Sequence, residues 1–351
     1  MSQFVGLNGF GRLDSARREH GRPPPVGLCG AGGMVFTALL VVAFSSSRAP
    51  ADIAIETVHV ANPGNSPDTR HELPGYGAVG YAYDMGKYEL TMGQYAAFLN
   101  AVAGVDTYGL YSFSMNGGGD SWGGGIFRHG STTRTYSVTP GYENRPVSYV
   151  SFGDALRFAN WMHNGQPTGA QGPTTTEDGS YFLNGATSLA ALLAVTRKPG
   201  ATWAIPSENE WYKTAYHKND GATDNYWEYP TSSDSMTSDM ANTESTFLHP
   251  LIVGSYAYPS AYGTFDQAGN VNEWNESVIE GLYRGVRGGA FNNDDYTSAA
   301  GNRYSLDPTL ERSNLGFRIA MVPEPGSLIM AAVAALAVPK RRKKRHGISR
   351  R

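Results

Sequence analysis

The chain carries a single cysteine, Cys29, among 351 residues. Everything after it is free of thiols. Disulfides, thiolate metal sites and cysteine nucleophiles are therefore excluded from the body of the protein. Long apolar runs are missing as well. The stretches 34–44 and 327–338 hold 11 and 12 residues, short of the roughly 20 that a stable membrane-spanning helix needs. Histidine is sparse: His59, His71, His129, His163, His217 and His249 are scattered along the body without an i,i+4 pair, so no helical metal-binding pair is present. Nor is there an internal repeat of fixed period, which argues against a solenoid or propeller.

The short apolar runs make sense at the ends of the chain. Arg12, Arg17, Arg18 and Arg22 precede the run 34–44, and Ala49-Pro50-Ala51 offers a small-x-small cleavage site before Asp52. This order of basic region, apolar core and cleavage site reads as an export signal over residues 1–51. At the other end, Val322-Pro323-Glu324-Pro325-Gly326 leads into the run 327–338, then Pro339 and the basic block Lys340-Arg341-Arg342-Lys343-Lys344-Arg345. An apolar segment followed by basic residues is expected to halt in the membrane with its basic side in the cytoplasm, and its shortness suits a transient anchor. Between Asp52 and Val322, 15 Lys+Arg face 28 Asp+Glu, so the body carries −13 although the whole chain carries only −3. Such a surface repels nucleic acid and anionic lipid.

The body, residues 52–321, reads as one α+β domain with much irregular structure. A helix is expected from Thr91, where Thr91-Met92-Gly93-Gln94 forms a capping box and Tyr95, Phe98, Leu99 and Val102 recur on one face. A second is expected from Ser151, with Asp154 in its first turn, an apolar stripe of Ala155, Phe158, Ala159 and Met162, and Gly165 at its C-terminal cap. A third runs from Ser207 through Glu210 and Trp211 to Tyr216. Tyr88-Glu89-Leu90 and Val147-Ser148-Tyr149 are expected to be strands. The glycine-rich run 116–125 lacks the Lys-Ser/Thr and helix start of a phosphate cradle and is expected to be a surface loop.

Six segments then fall into one order. They are Met85-Gly86-Lys87-Tyr88-Glu89-Leu90-Thr91-Met92-Gly93-Gln94-Tyr95, Arg145-Pro146-Val147-Ser148-Tyr149-Val150-Ser151-Phe152-Gly153-Asp154-Ala155, Ile205-Pro206-Ser207-Glu208-Asn209-Glu210-Trp211, Gly269-Asn270-Val271-Asn272-Glu273-Trp274, Arg287-Gly288-Gly289-Ala290-Phe291 and Asn314-Leu315-Gly316-Phe317-Arg318. Together they resemble the sulfatase-modifying-factor domain, the fold of formylglycine-generating enzymes, which is related to C-type lectins. The tail 322–351 resembles the PEP-CTERM sorting signal, which directs exported proteins of Gram-negative-type bacteria to an exosortase. The resemblance implies a protein of the cell envelope or the medium. Each motif also has a packing reading: Glu210 and Trp211 as an ion-paired carboxylate and a buried ring, Arg287 and Arg318 as salt-bridge anchors, Gly288-Gly289 as freedom where strands pass closely.

In the resembled enzymes two cysteines after the Gly-Gly pair bind copper and oxidise a substrate cysteine. Those positions fall on Asn293 and Ser298 here, and neither offers the soft sulfur that copper(I) requires. Copper is therefore not expected; Asp294 and Asp295 nearby are hard oxygen donors. The resemblance also implies a structural calcium held by the Asp266 side chain, the Gly269 and Val271 carbonyls and the Glu273 carboxylate. The alternative is that Asp266 caps a turn and Glu273 pairs with an arginine. Asn242 is a candidate for a second cation site, without a matching aspartate. Asn272 stands where the family has a tryptophan, which is expected to loosen packing there. Two functional readings follow: an exported binding or structural protein whose ligand is a polysaccharide or a surface protein, or a protein-modifying enzyme of the formylglycine-generating type. Loop aromatics Tyr108, Tyr111, Phe113, Trp122, Tyr226 and Trp227 are either a stacking surface or core.

Overall fold

The computed structural model describes residues 52–117, 124–244 and 247–323. The expected leader with its run 34–44, residues 118–123 of the glycine-rich run expected to be a surface loop (Trp122 among them), and the tail from Glu324 onward lie outside them. Among the described residues no helix is long and apolar enough to cross a membrane.

In chain order the elements are β1 (Thr57–Val60), β2 (Tyr83–Gly86), α1 (Met92–Val102), β3 (Ile126–His129), β4 (Thr135–Val138), α2 (Phe152–His163), α3 (Leu189–Ala194), β5 (Trp203–Ala204) and α4 (Glu208–Tyr216). After a long loop come β6 (Asn272–Ile279), β7 (Tyr283–Arg287), β8 (Tyr304–Leu306), β9 (Leu315–Gly316) and β10 (Ala320–Met321). Among the described residues, short strands, four α-helices and much loop give the α+β class expected from the sequence. One sheet runs β1-β2-β10-β5, so that β10 lies antiparallel between β2 and β5 and ties the two ends of the domain together. A second runs β8-β7-β6-β9, antiparallel except for the β6–β9 edge.

The three anticipated helices start at the expected residues. Thr91, Ser151 and Ser207 each close a reciprocal capping box, with Gln94, Asp154 and Glu210 respectively. Each cap removes two orphan amides and is worth about 1 kcal/mol. Gly165, just past α2, takes φ +78°, the left-handed conformation a helix stop requires. The stripes meet in the core: Phe98 of α1 lies edge-on to Phe158 of α2 at 5.3 Å, and Phe158 lies edge-on to Phe317 at 5.6 Å. Phe152 reaches Trp274 of β6 at 5.8 Å, so the helices and the second sheet share one apolar interior.

Two expectations are corrected. Tyr88–Leu90 and Val147–Tyr149 are not strands, because their amides are satisfied singly by loops rather than by a ladder. Leu90 N donates to the Phe317 carbonyl, Val147 N to that of Leu90, and Tyr149 N to that of Arg312. The strand preceding α1 lies earlier, at Tyr83–Gly86, and Tyr149 adopts φ +59°, which no strand residue does.

Candidate binding site

The Arg-Gly-Gly segment is fixed from behind. Arg287, at the end of β7 and fully buried, pairs with Glu208 and donates to the carbonyls of Ala300 (3.1 Å) and Asn302 (2.6 Å). Its guanidinium lies over the rings of Tyr76 and Tyr212, at 5.0 and 4.9 Å. Glu210 is likewise enclosed; burial alone would raise its pKa, but Arg197 at 2.7 Å and 2.9 Å holds it down to about 2. These arginines anchor the architecture.

Beyond Arg287, Gly288 and Gly289 both take positive φ, at +100° and +72°. Gly289 is needed twice over. A Cβ there would sit in a disfavoured backbone conformation and would collide with Thr297 Oγ1, with Ser298 Oγ only 3.0 Å away. The turn sends the chain into a loop that carries both positions where the resembled enzymes have cysteine. They end differently. Ser298 is fully buried and donates its Oγ proton to the Gly288 carbonyl at 2.6 Å. Asn293 is half-buried; its backbone N donates to the Ala290 carbonyl at 2.9 Å, and the residue lines a pocket.

That pocket, of about 310 Å³, opens between the loop, β8 and residues 312–314. Val286 and Leu306 form an apolar patch, while Asn272, Asn292, Asn293 and Asn314 supply carboxamides. Asn272 Nδ2 donates to Asn293 Oδ1 (3.3 Å) and to the Asn314 carbonyl (3.2 Å), and Asn314 Nδ2 donates to Asn292 Oδ1 (3.0 Å). Two of the three departures from the family pattern, Asn272 for tryptophan and Asn293 for cysteine, thus touch. Tyr296 and Tyr304 also line the pocket, 58% and 39% exposed. Sequence reading missed both tyrosines; the available signal was their position just after Asn293 and on the strand that follows. Of the loop aromatics it did single out, Tyr111 and Tyr226 are core, Tyr108 and Trp227 lie under Arg157 and Lys218, and Phe113 is exposed beneath Arg128. They do not gather into one surface with the pocket.

A larger groove, of about 570 Å³, lies between the N-terminal segment Ile53–Glu56 and Tyr88–Thr91. Of the carboxylates in its wall, Glu89 accepts from Asn270 Nδ2 (2.6 Å) and Val271 N (2.9 Å), Glu56 from Lys87 Nζ (2.6 Å) and Glu143 from Gly141 N (2.8 Å). The segment Gly119-Asp120-Ser121-Trp122-Gly123 fits the Gly-x-Ser-x-Gly pattern of a hydrolase nucleophile, but its residues lie outside the described ones. It is flanked by a short helical turn ending at Asn116 and by β3, whereas a nucleophile elbow follows a strand and precedes a helix.

Of the implied calcium ligands, Glu273 and Asp266 lie in the field of Arg318, while Val271 is buried with its N donating to Glu89 and Gly269 N donates to the Gly288 carbonyl. Both oxygens of Glu273 are engaged: Oε1 accepts from Arg318 Nη2 (2.7 Å), and Oε2 accepts from Arg318 Nε (2.6 Å) and Trp211 Nε1 (2.7 Å). Asp266 takes φ +60°, and its Oδ2 accepts from Gly254 N at 2.6 Å. Burial pushes the Asp266 carboxyl up to about 6. Burial and the neighbouring Asp266 and Glu273 push Glu89 well above its usual range. With Glu273 committed to a buried guanidinium, this donor set does not fit calcium as it stands. Asn242 Oδ1, from the second candidate site, is buried without a hydrogen-bond partner among the described residues.

An α+β domain clamped by buried Arg287–Glu208 and Arg318–Glu273 pairs, with a Gly-Gly turn leading into an open pocket, defines a formylglycine-generating-enzyme-like domain. Residues 47–322 match the sulfatase-modifying factor enzyme 1-like domain, and the chain belongs to that family. No curated protein sequence matches it. Among solved structures it is similar to Treponema denticola variable protein 1, at 19% identity and TM-score 0.52, covering 78% of this chain and 97% of that one. It is similar also to CarF, at 20% identity and TM-score 0.52, covering 78% of this chain and 100% of that one. At such identities the likeness shows the fold alone.

Proposed function

We propose that this protein is an exported, surface-directed binding or structural module that uses the formylglycine-generating-enzyme fold without its oxidase chemistry. One observation carries the reading: the two positions for a copper-binding thiol pair hold an amide at the rim of a pocket and a buried hydroxyl spent on a carbonyl. Copper(I) finds no soft donor in either, and Ser298 has no base within its hydrogen-bonding set to make it a nucleophile. The chain ends support the surface-directed part. The basic leader and the Pro-Glu-Pro, apolar and basic tail suit export, brief anchoring and processing by an exosortase-type machinery, and the acidic body suits life outside the cytoplasm. A competition titration tests the site chemistry. The body, residues 52–323, is expected to leave copper(I) with a bicinchoninate chelator at every ratio. Transfer of one equivalent of copper to the protein would overturn the reading in favour of a metal-dependent modifying enzyme.

A further inference from the structure

The pocket beside Asn293 has a chemistry of its own, and it narrows the ligand class if the binding-module reading holds. From its geometry we infer that it takes a hexose unit of an uncharged polysaccharide. The first ground is the state of its carboxamides. Each Asn side chain can donate two hydrogen bonds and accept two. Asn272 Oδ1, Asn314 Oδ1 and Asn292 Nδ2 have no partner among the described residues, and Asn293 Nδ2 has only a long 3.4 Å contact with the carbonyl of Asn292. The wall therefore offers donors and acceptors side by side, already oriented by the Asn272–Asn293 and Asn314–Asn292 contacts. A sugar hydroxyl both donates and accepts, and a row of them matches mixed amide edges better than a charged group, which needs one polarity only.

The second ground is the rim. Tyr296 and Tyr304 are exposed although each is large and half apolar, and they border the same opening. Exposed tyrosine faces beside a polar pocket suit the C–H face of a pyranose ring, which stacks on them while its hydroxyls reach the amides. The third ground is charge. Arg312 and Asp294 stand at opposite sign on the lining, and the body as a whole carries −13, so nothing draws in a polyanion. The volume of about 310 Å³ is of the size that holds a small ligand or the end of a longer one. Tryptophan at position 272 would fill part of this space; asparagine leaves it open and supplies two of the contacts that order the wall.

The experiment is isothermal calorimetry of the body with neutral hexasaccharides of glucose and of mannose in several linkages, alongside an acidic polygalacturonate fragment and a cysteine-containing sulfatase peptide. At least one neutral hexasaccharide is expected to bind, with an affinity that does not change between low and high salt. Tyr296→Ala and Tyr304→Ala are each expected to weaken it by roughly two- to tenfold, and Asn293→Ala by a similar factor, with thermal unfolding unchanged for the exposed tyrosines. Three results would each overturn the inference: no neutral hexasaccharide binding, binding confined to polygalacturonate and lost at high salt, or binding that survives both tyrosine changes. Binding of the peptide alone, without reaction, would also overturn it while leaving the binding-module reading intact. Oxidation of the peptide would overturn that reading itself.

Discussion

Replacing Arg318 with alanine is expected to cost about 3–5 kcal/mol, a large part of the stability of a typical domain. Arg318 is fully buried and holds Glu273 with two contacts of 2.6 and 2.7 Å, while also donating to the carbonyls of Gly86 (3.0 Å) and Phe265 (2.8 Å). It thus joins β2, the 265–273 loop and β6 at one atom cluster. Glu89 and Asp266 share its field, and burial first, with neighbouring carboxylates adding to it, already raises the pKa of both. Removing the guanidinium leaves three carboxyls together without a counterion. The folded-state pKa values of Glu89 and Asp266 then lie still further above the unfolded ones, so the folded state binds protons more tightly. The stability held below the unfolded pKa is lost as pH rises through the folded values. Urea unfolding of Arg318→Ala should therefore show its largest deficit at about pH 8 and a smaller one at about pH 5. A deficit below about 1 kcal/mol at both, the range of an exposed ion pair, would show that the cluster does not close the domain.

The second large effect is expected at Gly289. Changing it to alanine forces a side chain into the left-handed region, which costs about 1–2 kcal/mol, and drives its Cβ into Thr297 Oγ1, which adds about 1–3 kcal/mol of overpacking. Thr297 Oγ1 also donates to the Asp294 carbonyl at 2.6 Å, so it is not free to swing aside. The loop that carries Asn293, Tyr296 and Ser298 should lose its shape before the core does. The measurement is a double-mutant comparison by thermal unfolding: Thr297→Ala in the Gly289→Ala background should recover the overpacking share and leave the backbone share. No recovery would place the whole penalty in the backbone torsion and remove the steric part of the argument.

Much of this architecture was legible in the sequence because its signals are local. A capping box is read from four adjacent residues, and the one at Thr91 lies where expected, while the helices expected from Ser151 and Ser207 start there and close boxes of their own. The buried ring of Trp211 and the paired carboxylate of Glu210 follow from their place on one helix. The misplaced strands at 88–90 and 147–149 have a different cause: apolar β-formers there satisfy their amides against distant loops, Phe317 and Arg312 among them, which no local pattern contains. The ligand set around Glu273 was ambiguous for the same reason. Arg318 lies 45 residues away, and only the fold brings it within bonding distance. Cysteine positions could be counted along the chain, so Asn293 and Ser298 were found. The outward face of one and the inward face of the other were not, since side-chain direction in a glycine-turned loop depends on torsions that the sequence does not state.

The central claim is that this domain keeps the fold and has given up the oxidation. The direct test incubates the body, residues 52–323, with copper, oxygen, a reductant and a cysteine-containing sulfatase peptide, and follows the peptide by mass beside a working enzyme of the family. The account predicts that the peptide's cysteine stays unchanged while the control converts it to formylglycine. Conversion by this protein would contradict the account, and would mean that an amide at position 293 and a buried hydroxyl at position 298 suffice where two thiols were thought necessary.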